Sequence, residues 1–158
     1  SLPYIFASIN EPGITVSLPL FDRETKEFFG AVSADITLED ISLFLEKEKV
    51  FNSQISILIN EEEKVLATSN YSNENVVLTK NSILEIDGVE KTVFEKLKNG
   101  LDVNNIVKYN GNKYFFEINE IEIMNSRCKL ITIVEQKEIF TEINSLIKRT
   151  ILISILIL

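Results

Sequence analysis

The sequence contains no histidine. That absence removes the commonest general base, the commonest metal ligand and the usual partner of a serine or cysteine nucleophile. No glycine-rich phosphate loop is present, and no nucleophile stands beside a plausible base, so the residues offer no enzymatic site. Nothing in them calls for a cofactor or a metal. The single cysteine, Cys128, cannot form an internal disulfide. It lies in the apolar run CKLITIV and reads as a small buried residue rather than a redox group. A lone thiol leaves the cellular compartment open. Basic residues are also scarce: 16 Lys and Arg face 24 Asp and Glu, for a net charge of -8. They are scattered, apart from a mixed patch at 46–49, which excludes a nucleic-acid-binding surface built on clustered cations.

What is present is an apolar chain able to bury a real core. Its 158 residues suit one medium domain or two small ones, with 45% hydrophobic content. The segment ITVSLPL (14–20) alternates, with Ile14, Val16, Leu18 and Leu20 on one face and Thr15 and Ser17 on the other. Pro19 there suggests an edge or a strand end. FDRETKEF supplies a polar turn. FFGAVSADI returns as a strand with Phe28, Val32 and Ile36 on one face and Ala31, Ser33 and Asp35 on the opposite one. The two strands read as an antiparallel hairpin with one greasy side and one small, mildly polar side. Thr37 then stands as a helix cap with Asp40 in the capping-box position. Leu38, Ile41 and Leu45 follow at helical spacing, with Phe44 beside them, and the helix is expected to end near Lys49.

A second unit starts at QISILI (54–59), a short buried strand that turns at NEEEK and returns as VLATS. The acidic triplet reads as a solvated hairpin tip, because consecutive acids in a turn point in different directions and cannot build an ion cage. The Asn-rich stretch 68–82 reads as loop. VEKTVFEKLKNG predicts a short helix on Val89, Val93, Phe94 and Leu97, stopped by Gly100. NIVKY, the Asn110-Gly111 turn and KYFFEI give the strongest hairpin signal in the chain, and RCKLITIVE closes the unit as a strand. The order strand, strand, helix, strand, strand, strand is an α+β pattern with an antiparallel sheet. No internal sequence repeat is visible.

EQKEIFTEINSLIKRT (135–150) is helix-like, with Ile139, Ile143, Leu146 and Ile147 in one stripe. It runs into TILISILIL, apolar from Ile151 except for Ser154. Eight such residues cannot cross a bilayer, which takes roughly 20. After Lys148 and Arg149 they read as the first part of a transmembrane helix; the other reading is a final core strand or helix. With no Met and no signal-peptide pattern at the start, the sequence reads as a slice of a larger membrane protein.

With these elements placed, PYIFASINEPGITVSLPLFD and FFGAVSADITLEDISLFL resemble the end of the membrane-distal lobe of double Cache (dCache) domains, the extracytoplasmic, PAS-like sensors of bacterial receptors. The matching elements are Pro3-Tyr4, the strand from Gly13 to Pro19, and the stretch from Gly30 to Leu38 that carries Asp35. QISILINEEEKVLATS is similar to the opening of the membrane-proximal lobe.

The resemblance implies PAS-like antiparallel sheets with flanking helices. Residues 1–50 would be the C-terminal part of the distal lobe, 51–135 the proximal lobe, 136–149 a stalk helix and 150–158 the start of a transmembrane helix. It implies sensing of a small molecule, an amino acid, amine or organic acid, outside the cytoplasm by a membrane-anchored homodimer. A cytoplasmic output would follow, a nucleotide cyclase, chemoreceptor signalling domain or kinase, with cyclase preferred. In amino-acid-binding members, an acid at the position of Asp35 holds the ligand's ammonium group and a tyrosine at that of Tyr4 lines the pocket. A second acid stands where this chain has Phe6, a departure that bears against amino-acid or amine binding and permits a different small ligand, or none. Thr15, Ser17 and Ser33 join the candidates because they share the polar face. For Asp35 the rival role is support of the following helix start. For the whole region the rival is a dimerisation scaffold with a degenerate pocket.

Overall fold

A computed structural model describes residues 3–70, 88–99, 105–123 and 126–157, with the backbone alone at 123, 142 and 151–157. The chain forms two antiparallel sheets. The first has three strands, β1 (Tyr4–Phe6), β2 (Glu11–Phe21) and β3 (Phe28–Thr37), in the order β1-β2-β3. Helix α1 (Leu38–Lys47) follows. The second sheet has five strands: β4 (Ile55–Asn60), β5 (Val65–Thr68), β6 (Ile106–Tyr109), β7 (Asn112–Ile123) and β8 (Ser126–Glu135). Their order is β5-β4-β8-β7-β6, with α2 (Val89–Lys98) on one face and α3 (Gln136–Ile157) leaving β8. The α+β architecture with antiparallel sheets expected from the residues is the one formed. The loop expected over 68–82 lies outside the described residues from 71 on, as does the Gly100 stop.

Local chemistry sets the hairpins. In the β2–β3 turn, Asp22 Oδ1 accepts the amides of Glu24 and Thr25, both at 2.8 Å. The Thr25 amide foremost, then that of Glu24, hold the Asp22 carboxyl below its usual range. At the β6–β7 turn Asn110 has φ 47° and Gly111 φ 82°, the paired left-handed conformations of a tight two-residue hairpin turn. β2 pairs with β3 from Gly13↔Thr37 to Phe21↔Phe28, setting Thr15 opposite Asp35 and Ser17 opposite Ser33. β1 pairs with β2 only over Glu11, Pro12 and Gly13. From Ile14 onward β2 therefore has a free edge among the described residues, which accommodates Pro19.

The capping box at the head of α1 is formed. Thr37 Oγ1 accepts the Asp40 amide at 3.0 Å and donates to Asp40 Oδ2 at 2.6 Å. α1 ends at Lys47, slightly before the expected Lys49. Ile41 and Leu45 pack against Leu58, Leu66, Ala67 and Cys128 on one face of the second sheet. Ser42 is buried there, its hydroxyl donating to Leu38 C=O at 3.0 Å and accepting the Thr68 amide at 3.3 Å. Phe44, expected beside the packing face, is exposed.

On the other face of the second sheet, Val89, Val93 and Phe94 of α2 cover Ile57, Ile59, Ile131 and Ile133. That is the main core. α3 runs unbroken for 22 residues, joining the amphipathic stretch to the apolar tail in one helix. Among the described residues no helix is long and apolar enough to cross a membrane.

Candidate functional site

The small-residue face of the first sheet carries a row of polar groups. Thr15 and Asp35 are register partners, and Thr15 Oγ1 donates to Asp35 Oδ1 at 2.6 Å. The Tyr4 hydroxyl is hydrogen-bonded to the same Thr15 oxygen. Since a threonine hydroxyl has one proton and spends it on Asp35, Tyr4 is the donor in that pair. The hydrogen bonds therefore run in one direction, Tyr4 to Thr15 to Asp35, and end on the carboxylate. Among the described residues the other carboxylate oxygen of Asp35 accepts nothing. One row further along, Ser17 and Ser33 bond each other at 2.8 Å. Asp35, Ser17 and Ser33 are exposed, and Thr15 is half-buried.

Phe6 stands apart from this row chemically. It is buried, and its ring meets Tyr4 edge-on, with centroids 5.1 Å apart. The ring lies over Gly13, where a Cβ would come 2.2 Å from Phe6 Cε2 and 2.6 Å from Ile36 O. A side chain at position 13 is thus excluded by contact, and Phe6 serves as the aromatic wall that steadies Tyr4. Of the six candidates, five share one hydrogen-bonded face and Phe6 closes its end. The arrangement presents a carboxylate with one oxygen held by the Thr15 hydroxyl, itself held by Tyr4, and the other oxygen suited to pairing with a ligand cation.

The acidic tip of the β4–β5 hairpin divides among three partners. Glu61 accepts the Arg127 amide at 3.2 Å, Glu62 pairs with Lys64 at 2.8 Å, and Glu63 with Lys98 at 2.9 Å. Cys128 is buried; burial first, and then the Glu61 carboxylate, push its thiol pKa up, which favours the unreactive form.

One cluster escapes sequence reasoning. Glu138, in the first turn of α3, accepts the amides of Asn52 and Ser53 at 2.8 Å each and the Ser53 hydroxyl at 2.5 Å. Ser53 Oγ also accepts the Glu135 amide at 3.1 Å. The Ser53 hydroxyl and then its amide hold the Glu138 carboxyl below the ordinary range. The latch fastens the start of α3 to the segment that leaves α1. An acid in a first helical turn was the only signal for it, and its partners lie 85 and 86 residues away.

Comparison with solved structures gives the class of fold. The chain is similar to the ligand-binding domain of the Pseudomonas aeruginosa amino acid chemoreceptor PctB in complex with L-Arg, at 15% identity and TM-score 0.52, covering 91% of this chain and 52% of that one. The ligand-binding domain of the Pseudomonas fluorescens chemoreceptor CtaA in complex with L-isoleucine matches at 15% identity and TM-score 0.54, covering 89% and 52%. The periplasmic sensory domain of the Campylobacter jejuni chemoreceptor Tlp1 matches at 18% identity and TM-score 0.50, covering 88% and 48%.

The chain has the Cache-like fold of these extracytoplasmic sensor domains. It spans about half the length of the solved structures it matches. No family model and no curated protein matches it.

Proposed function

We propose that this chain is the extracytoplasmic sensing region of a membrane-bound bacterial signal-transduction receptor. Residues 1–50 are the closing part of the distal lobe and 51–135 the proximal lobe. The observation that carries the reading is the directed chain Tyr4 to Thr15 to Asp35, set on a sheet of the fold used by ligand-binding sensor domains. Asp35 pairs with the ammonium of an amino acid or amine, Tyr4 and Thr15 hold the carboxylate in place, and Ser17 and Ser33 offer hydroxyls to the rest of the ligand. Phe6, standing where an amino-acid site would have a second acid, leaves Asp35 as the single anchoring acid for the ligand's cation.

Ligand binding acts on the output only if it stabilises one conformational state over another. The Glu138 latch supports a route: a shift of the first unit and α1 pulls on the segment at Asn52 and Ser53, and so on the first turn of α3. α3 then acts as a stalk over 136–149 and as the start of a transmembrane helix from 150. Phe140, Ile143, Leu146 and Ile147 are exposed along it, which supports pairing with a second stalk in a homodimer. The output beyond the membrane is a nucleotide cyclase, with a kinase or chemoreceptor signalling domain as the other choices. A second reading, a dimerisation scaffold without a ligand, is favoured by Phe6, which fills space with a packed ring where the amino-acid pattern has a charge.

The test is a thermal-shift screen of the complete ectodomain against amino acids, amines, purines and organic acids. The sensor reading expects a stabilising ligand whose effect disappears in Asp35→Asn. A ligand indifferent to that change removes Asp35 from the site. Dimerisation with no stabilising compound supports the scaffold.

A further inference from the structure

The second sheet holds a cleft of about 730 Å³ that the Asp35 site does not use. It arises because the strands outrun the helix that covers them. The core row Ile57, Ile131 and Ile118 is followed, one step along the same face, by Ile59, Lys129 and Glu120. Phe94 and Leu97 of α2 form one wall, with Ile59 and Ile118 as an apolar floor. Lys98 reaches from the end of α2 to Glu63 at 2.9 Å and bridges the mouth.

Six charged side chains line this space: Glu61, Glu63, Lys98, Glu120, Arg127 and Lys129. Glu63 and Lys98 satisfy each other, and Glu61 accepts the Arg127 amide. Among the described residues neither the Arg127 guanidinium nor the Lys129 ammonium makes an ion pair. In register, Glu120 stands across from Lys129, and Glu122, which does not line the cleft, stands across from Arg127. Arg127 and Lys129 are thus two cations side by side on β8 without an ion pair, while the two unpaired acids, Glu61 and Glu120, stand on different elements, the β4–β5 turn and β7. Arg127 and Lys129 project from the same face of β8 about 7 Å apart, a spacing that one small anion can bridge. A cleft of this size with an apolar floor and convergent polar groups has the form of a small-molecule site.

We propose that this cleft binds a small aliphatic carboxylate, its head on Arg127 and Lys129 and its tail against Ile59, Phe94 and Leu97. The site is independent of Asp35 and opposite to it in charge preference, so either can fail without the other. Calorimetric titration of the full chain with hexanoate at low salt tests it, with hexylamine and hexanol as controls.

The expected result is binding of hexanoate alone. The Arg127→Gln/Lys129→Gln double variant should weaken it by at least about tenfold, since the charge-assisted bonds to the head are lost. Lys129→Arg should retain it, and Asp35→Asn should leave it unchanged. On the unaltered chain, nuclear magnetic resonance should show hexanoate shifting the amides of Leu97, Arg127 and Lys129 and not that of Asp35. That measurement holds even if the double variant fails to fold. No hexanoate binding, equal binding of hexylamine or hexanol, or shifts confined to Asp35 and its neighbours would overturn the proposal.

Discussion

The two sheets of this molecule treat their apolar residues in opposite ways. In the second sheet Ile57 and Ile133 are fully buried and Ile131 is 1% exposed, under α2. In the first, Phe29 is 82% exposed, Phe28 65%, Leu18 63% and Val32 58%. The packing shows why: α2 and α1 cover the two faces of the second sheet, and neither buried cluster contains a residue of the first. β1-β2-β3 leading into α1 repeats β6-β7-β8 leading into α3, but β8 also pairs on its other edge with β4. Among the described residues nothing lies on the corresponding edge of β3. The buried core clusters lie on the second sheet. The first carries the candidate site on a three-stranded scaffold, near the minimum for a sheet to hold together. The difference separates where the molecule is held from where it would sense.

Substitutions can break that comparison. Ile131→Ala removes a buried side chain from the main core and should cost about 2–5 kcal/mol, whereas Val32→Ala on the first sheet should change stability by no more than about 0.5 kcal/mol. Chemical denaturation of both variants checks this, and equal losses would erase the distinction. Gly13→Ala, which forces a Cβ against the Phe6 ring, should cost about 1–3 kcal/mol. Hydrogen exchange should place the loosening in β1 and β2 and leave β4 and β8 protected. Thr37→Ala removes the α1 cap for about 1 kcal/mol, seen as a lower denaturation midpoint.

The smallest effect concerns the latch. Glu138 is held below its ordinary value of 4.5, by the Ser53 hydroxyl first. Its contribution is therefore complete above the unfolded carboxylate value and is lost as the pH falls through the lower folded value. The pH titration of the Ser53 amide shift should have its midpoint below 4.5.

Much of the second unit was legible because its signals are local. The Asn110-Gly111 turn, the alternating strands and the helix on Val89, Val93 and Phe94 each sit within a few residues of their cause. So does the Thr37–Asp40 box. The alternation of β2 and β3 also placed Thr15, Ser17, Ser33 and Asp35 on one face, and pairing then made Thr15 and Asp35 partners. β1 escaped because three residues carry no period; only its pairing with residues 11–13 defines it. Phe6 read as a pocket position, and its packing onto Gly13 depends on two segments meeting. The Glu138 latch and the cleft at Lys129 were illegible for the same reason. One joins residues far apart in sequence, and the other exists because α2 is shorter than the strands beneath it. The repeat of topology between the two units leaves no trace as a sequence repeat, since strand order can be kept by many side-chain sets.

The most direct measurement is hydrogen exchange on the complete ectodomain, with and without a panel of amino acids and amines at millimolar concentration. The account predicts that at least one ammonium-bearing compound slows exchange across β2 and β3, around Thr15 and Asp35, and that Asp35→Asn abolishes the protection. If no such compound protects those strands, or if the protection persists in Asp35→Asn, the assignment of the sensing site to the first sheet is wrong.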